Sequence, residues 1–249
     1  LNYDLSDGMN TIRENHSSSK NQKNHSSKQM KDSGVEWIGE IPAHWEVVRL
    51  KYISTVQSGV TLGKSYTGQN LPTYPYLRVA NVQAGYFNLD DLAEIKLPKH
   101  IAEKYFVRVD DILVTEGGDL DKLGRGTVWK GEIDNCLHQN HVFAVRINKE
   151  VVSPEYASML MESDYGRKYF TNTANKTTNL ASTNSTKLGN FPLIVPPISE
   201  QQEISAYVDE SSSKLVTAIS CKQKEIEKLK EYKATIINSA VTGKIKVQL

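Results

Sequence analysis

Apolar residues are unevenly spread along this chain. Residues 15–28, NHSSSKNQKNHSSK, carry no apolar side chain at all. Such a tract cannot bury enough surface to offset the entropy of ordering, and residues 1–32 are expected to form a disordered arm or linker. Apolar mass returns abruptly in SGVEWIGEIPAHWEVVRLKYI, with Trp37, Ile38, Ile41, Trp45, Val47, Val48 and Leu50, and with Gly39 and Pro42 as turn points. From there to Pro197 short segments alternate with turns. YPYLRVANV alternates and predicts a strand; VRVDDILVTEGG predicts a strand ending in a tight Gly117-Gly118 turn; GRGTVWKG and CLHQNHVFAVRIN predict further strands. One helix is expected in SPEYASMLMESDYGRKYF, where Ser153 suits the N-cap, Pro154 the first helical position and Glu155 the positive end of the dipole. Residues 33–197 thus read as a mixed α/β or α+β domain, on the order of 150 residues and a comfortable size for one core.

The pattern changes at NFPLIVPPISEQQEISAYVDE. Pro196 and Pro197 impose an extended approach, and Ser199-x-x-Gln202 has the form of a capping box, predicting a helix start. No further Pro or Gly occurs until Gly243, which suits the C′ position after Thr242. A helix over 198–243, followed by a tail at 244–249, would be about 60 Å long at ~1.5 Å per residue, more than a globular domain normally needs. Leu215, Ile219, Lys222, Ile226, Leu229, Lys233, Ile236 and Ala240 follow alternating four- and three-residue steps, bordered by Tyr232 and Ile237, with charges of both signs outside. That is a coiled-coil stripe with two lysines on its seam, and Ser211-Ser212-Ser213 is its weak point. The expected helix-pairing positions are Leu215, Ile219, Ile226, Leu229, Ile236 and Ala240, and their partner is a second helix. Packing of the stripe back onto its own domain is the alternative.

Composition changes this picture little. The chain has 249 residues, 39% hydrophobic and 24% charged, with a formal net charge of +1. No global basicity marks a nucleic-acid binder, although charge concentrated on one face is what counts. Cys136 and Cys221 are the only cysteines and build no disulfide framework, which fits a reducing, cytoplasmic setting. No apolar run reaches the length of a membrane span, and the first residues lack a signal-peptide core.

Catalytic signatures are missing: no G-x-G-x-x-G, no phosphate-binding G-x-x-x-x-G-K-[ST], no H-E-x-x-H and no G-x-S-x-G. Pro196-Pro197 is followed by Ile198, unlike the Asn/Asp-Pro-Pro-aromatic motif of amino methyltransferases. Cys136-x-His138-x-x-His141 is a poor metal set, because strand alternation turns His141 away from the other two. Glu94-x-Lys96 is nuclease-like, but such triplets arise readily by chance. No metal is expected.

Several loops do have the chemistry of duplex contact. Residues 166–187, GRKYFTNTANKTTNLASTNSTK, contain Arg167, Lys168, Lys176 and Lys187, no acidic residue, and amides and hydroxyls including Thr177 and Asn179. These are the groups that meet phosphates and base edges, with a solvated polar loop as the plain alternative. Residues 57–70 bring Thr61 and Lys64, and residues 117–127 bring Lys122 and Arg125 between glycines that permit close backbone approach. Arg78 and Asn81 lie in the YLRVANV strand, where Arg78 is either exposed or a structural ion-pair partner. Gln139 and Asn140 are amides of the kind that pair with adenine, or else stabilise a turn.

In this order, SGVEWIGEIPAHWEVVRLKYI, SGVTLGKS, YPYLRVANV, VRVDDILVTEGG, LHQNHVFAVR, FPLIVPPISEQQEI and IEKLKEYKATIINSAVTGKI resemble the DNA-specificity subunits of type I restriction–modification systems. The likeness runs from about Ser33 to Val247; PPISEQQEI and EYKATIINSAVTGKI are its most specific parts, and Leu62 departs from the Gly-x-Thr-Pro form usual in the family. The resemblance implies an α+β target recognition domain that reads one half of a split double-stranded DNA site. It further implies a long C-terminal coiled-coil helix that spaces two such domains by pairing antiparallel with another. That second helix comes from the same longer chain or from a homodimer. The implied subunit is non-catalytic: S-adenosylmethionine, ATP and Mg are used by separate modification (methyltransferase) and restriction subunits. A fused methyltransferase or nuclease, and a coiled-coil adaptor that never touches DNA, are the alternatives.

Overall fold

A computed structural model describes residues 29–61, 63, 71–118, 123–176 and 180–245. The polar tract at 15–28, Leu62 and the end of the tail lie outside these residues. The chain forms β1 (Met30–Asp32), β2 (Glu40–Pro42), β3 (Glu46–Arg49), β4 (Ser54–Ser58), β5 (Thr73–Leu77), β6 (Ala93–Lys96) and a one-turn α1 (Lys99–Ala102). Then come β7 (Ile112–Thr115), β8 (Gly117–Gly118), β9 (Gly126–Val128), β10 (Leu137–His138) and β11 (Val142–Ile147). The last group is α2 (Pro154–Glu162), α3 (Asp164–Thr173), β12 (Asn175–Lys176), β13 (Ala181–Ser182), α4 (Ser185–Gly189), β14 (Pro192–Val195) and α5 (Ile198–Val241). The fold is α+β with a long C-terminal helix. Met30–Asp32, expected in the arm, is instead a strand antiparallel to Glu40–Pro42.

The core is organised by an antiparallel sheet in the order β4-β11-β7-β9. Its inner strands are apolar on both faces because both faces are covered. Phe143, Val145, Ile112 and Val114 point into one cluster with Tyr156, Met161 and Phe170 of the helices; Val142, Ala144 and Leu113 point into another with Trp129 and Cys136. Alternation along the strand divides the residues between the two layers. A second sheet, β10-β5-β6, carries a third cluster around Tyr74, Tyr76 and Leu97. Aromatic contacts tie α3 to the segment before β14: Phe170 stacks on Phe191 at 5.5 Å, and Tyr169 meets Phe191 edge-on at 5.1 Å.

Local chemistry corrects several expectations. The single helix foreseen over 153–170 is two. Ser153 does cap α2, accepting from Tyr156 N–H at 3.1 Å, but Ser163 then ends it and caps α3 by accepting from Gly166 N–H at 3.3 Å. A serine hydroxyl offers the backbone an alternative to the helical bond, so the break falls there. A Cβ at Gly166 would lie 2.1 Å from Met161 O, so the sharp corner requires glycine. Gly117-Gly118 is a two-residue strand paired with Ala181–Ser182, not a tight turn. Arg78 and Asn81 fall just beyond β5, in a 3₁₀ turn rather than on the strand.

The largest revision concerns the start of α5. The helix begins at Ile198 with Pro197 as its N-cap and no side-chain capping bond, so Ser199 and Gln202 form no capping box. Gln201 is used instead. It is fully buried; its Nε2 donates to Pro196 O at 2.8 Å and Val151 O at 3.0 Å, and its Oε1 accepts from Ser153 N–H at 2.9 Å. Beside it, Glu200 accepts from Trp45 Nε1 at 3.0 Å and meets His44 Nε2 at 2.7 Å. The helix is unbroken through Ser211-Ser212-Ser213. At its far end Gly243 has φ +72, Lys244 N–H reaches Ser239 O at 2.8 Å and Gly243 N–H reaches Ala240 O at 3.2 Å, the two bonds of a Schellman cap. Beyond Ile204, which packs on the core, the stripe is uncovered: Ile219 is 67% exposed and Leu229 60%.

Candidate nucleic-acid interface

The 78–83 turn is built from its own polar groups. Asn81 Oδ1 accepts from Arg78 N–H at 2.8 Å, and its Nδ2 donates to Asn88 O at 2.9 Å and Asp91 O at 3.0 Å. Only 3% exposed, Asn81 supports the loop and has no amide left for a base. Arg78 takes the ion-pair role, at 2.8 Å from Asp91, a pair exposed enough to contribute little to stability.

Tertiary pairing then brings the other loops to this turn. Gln139 N–H donates to Leu77 O at 2.9 Å and its side-chain Oε1 accepts from Val79 N–H at 3.4 Å, so Gln139 stabilises the junction. Asn140 N–H donates to Val60 O at 3.1 Å, which draws the exposed Thr61 to the same edge. His141 O accepts from Glu116 N–H at 2.9 Å, and its imidazole pairs with the Glu116 carboxylate. Glu116 leads into β8, whose partner β13 carries the half of the 166–187 loop that includes Leu180. A Cβ at Gly117 would sit 3.1 Å from Ala181 O, so a glycine allows the two backbones their close approach. Arg125 O accepts from Thr115 N–H at 2.8 Å, and Arg125 Nη1 donates to Gln83 Oε1 at 2.6 Å.

The result is one continuous edge. A hollow lined by Val79, Gly117, Gly118, His141, Asn175 and Leu180 adjoins another lined by Val79, Gln83, Gly117, Gly118 and Arg125. Lys176 is exposed on β12, and Lys187 Nζ donates to Asn175 Oδ1 at 2.6 Å. Arg125, Lys176 and Lys187 supply cations suited to phosphate oxygens, while Asn140 and His141 supply donors and acceptors suited to base edges. Lys64, Lys122, Thr177 and Asn179 lie outside the described residues. Gln83 and Glu116 escaped the sequence reading because only tertiary pairing brings them here. Among the described residues no group of three or more His, Cys, Asp and Glu is arranged to hold a metal ion, and no helix is long and apolar enough to cross a membrane.

Behind this edge His138 is buried, with Nδ1 donating to Val142 O at 2.7 Å and Nε2 unpartnered. Burial holds its pKa below the ordinary value. The unfolded chain therefore takes up the proton first on acidification, and His138 contributes stability that is complete above about pH 6.5 and declines below it. Urea midpoints measured between pH 7.5 and 5.5 should fall less steeply for His138→Asn than for the unaltered protein; equal slopes would remove His138 from the acid response.

Residues 42–231, more than half of the chain, match the family described as the type I restriction modification DNA specificity domain. The chain is 25% identical over 207 residues to the putative type I restriction enzyme MjaX specificity subunit of Methanocaldococcus jannaschii, covering 82% of this chain and 47% of that one. It is 22% identical over 180 residues to the EcoKI specificity subunit of Escherichia coli, covering 70% and 38%. In fold it resembles a chain from a structure on complex assembly in the type I restriction–modification system, with TM-score 0.60, 17% identity, and coverage of 85% and 48%. It also resembles the HsdS subunit of Thermoanaerobacter tengcongensis, with TM-score 0.53, 18% identity, and coverage of 72% and 44%. The chain spans about half, or less, of the length of these relatives. By the extent of its family match, this chain is a member of the type I restriction–modification DNA specificity family.

Proposed function

We propose that this chain is a non-catalytic DNA-specificity element that reads one half of a split duplex target and helps hold modification and restriction subunits on it. The observation that carries this reading is the convergence of residues 60–61, 78–83, 116–118, 125, 139–141, 175–176 and 180–187 on one edge. The long helix that leaves the recognition domain with its stripe uncovered is the spacer. It needs a second helix, from a longer chain or from another copy. In the latter case two identical domains would face an inverted repeat, since protein symmetry is mirrored in the site. Methyl transfer and cleavage, with S-adenosylmethionine, ATP and Mg, belong to the partner subunits, so the purified chain should turn over neither substrate alone.

Fluorescence anisotropy with a selected duplex, the modification subunit present, tests the edge. Lys176→Ala with Lys187→Ala should weaken binding about tenfold on any sequence and reduce the slope of log affinity against log salt by about 2, since each phosphate contact contributes roughly 0.9. Affinity and slope unchanged would reject this edge as the contact surface.

A further inference from the structure

Cationic side chains do not stop at Lys187. That residue lies in the last turn of α4, and Asn190 ends the helix, its N–H donating to Thr186 O at 3.0 Å and Lys187 O at 3.1 Å. Three residues correspond to about 5 Å at ~1.5 Å per residue, so Asn190 stands one step beyond the last cation of the edge. The 3₁₀ turn Leu50–Tyr52 packs against this point: a Cβ at Gly189 would lie 3.3 Å from Lys51 Cβ. Leu50 is fully buried and its N–H donates to Phe191 O at 2.9 Å, which anchors the turn. Its two chain neighbours, Arg49 and Lys51, are both exposed.

Both reach the same atom. Lys51 Nζ donates to Asn190 Oδ1 at 2.9 Å, and Arg49 Nη1 lies 3.5 Å from that oxygen. Two positive charges are thus gathered at one neutral acceptor, although like charges this close repel. Among the described residues neither forms an ion pair, not even with Glu36, which lines the hollow beside Arg49. The Tyr52 ring, centred 5.3 Å from Lys51 Nζ, holds the ammonium from another side. Asn190 Nδ2 makes no hydrogen bond among the described residues, which adds a third donor. A guanidinium, an ammonium and an amide N–H around one point suit an oxyanion. Position selects its source. The seat continues the line of Lys176 and Lys187, where the anion within reach is a backbone phosphate of the same duplex.

We propose that Arg49, Lys51 and Asn190 clamp one backbone phosphate just outside the bases that the edge reads, and so fix where the domain sits along the strand. This rests on reading the edge as a DNA interface, and adds a contact that senses position without sensing sequence.

Anisotropy with the full chain and the modification subunit tests the clamp. Arg49→Ala with Lys51→Ala should weaken binding about fivefold on target and unrelated duplexes alike, and reduce the slope of log affinity against log salt by about 1, the share of one phosphate. Duplexes with single linkages replaced by uncharged methylphosphonates locate that phosphate. One linkage outside the read bases should cost the unaltered protein about fivefold and the double variant nothing further, because both changes remove the same contact. The charge-preserving exchange Arg49→Lys with Lys51→Arg should keep affinity and slope; losing both would make the turn rather than the charge responsible, and overturns the clamp. Unchanged affinity and slope in the double alanine variant, while Lys176→Ala with Lys187→Ala lowers both, overturns the clamp and leaves the edge in place. Failure of both pairs overturns the DNA reading itself. Loss of the modification subunit in sedimentation, with the salt slope unchanged, assigns the seat to an acidic surface of that partner and overturns the proposal.

Discussion

Arg146→Met is expected to destabilise the protein by about 3–5 kcal/mol, as removal of one partner from a buried ion pair does. Asp111 is 1% exposed and cannot be hydrated. Arg146 meets it with two bonds, Nε to Oδ1 at 2.8 Å and Nη2 to Oδ2 at 3.1 Å, and also donates to Gln57 Oε1 at 3.0 Å and Phe106 O at 3.2 Å. A methionine fills much of the same space but leaves the carboxylate with only the Arg108 N–H, at 2.9 Å, in the described hydrogen bonds. Unfolding in urea should show the loss as a lower midpoint. The double variant Asp111→Asn with Arg146→Met should recover part of it, because no isolated charge is left buried. A single-variant loss below about 1 kcal/mol would mean that water reaches Asp111 and that the pair is a surface feature.

Gln201→Leu should cost about 3 kcal/mol, since it strands a buried N–H and removes the donor to two carbonyls in a site closed to water. The same substitution at Gln202, which is exposed, should change stability by less than about 0.5 kcal/mol. The contrast separates the observed junction from a capping box, in which Gln202 would be the sensitive position. Hydrogen exchange adds a local readout: the first turns of α5 and the N-terminus of α2 should lose protection together, because Gln201 joins Ser153 to Pro196. Equal sensitivity at the two glutamines would sink this account of how the helix is anchored.

The long helix was legible because its length, stripe and terminal glycine are local features that agree with one another. Its first turn was not. Ser199 and Gln202 satisfy a local rule, but Gln201 gains three bonds to groups far away in sequence, and the tertiary bonds set the start. The division at Ser163 follows the same logic on a smaller scale: helical propensity runs across it, and a hydroxyl with a glycine three residues later breaks it. Pairs as short as Gly117–Gly118 with Ala181–Ser182 carry no periodicity to read. At the recognition edge the residue types were visible but not their duties. Asn81, offered as a DNA contact, and Gln139, open to base reading or to stabilising a turn, are engaged by backbone, whereas Gln83 and Glu116 reach the edge through pairings between distant segments.

Strands β3 and β14 lie side by side, with Glu46 opposite Val195 and Arg49 opposite Pro192. The polypeptide therefore comes into the recognition domain and departs from it at one socket, and α5 springs from that socket after two prolines. Loops inserted or exchanged between these strands leave the point from which the helix departs in place. On the function proposed above, target choice and half-site separation are thereby left to diversify along independent evolutionary paths.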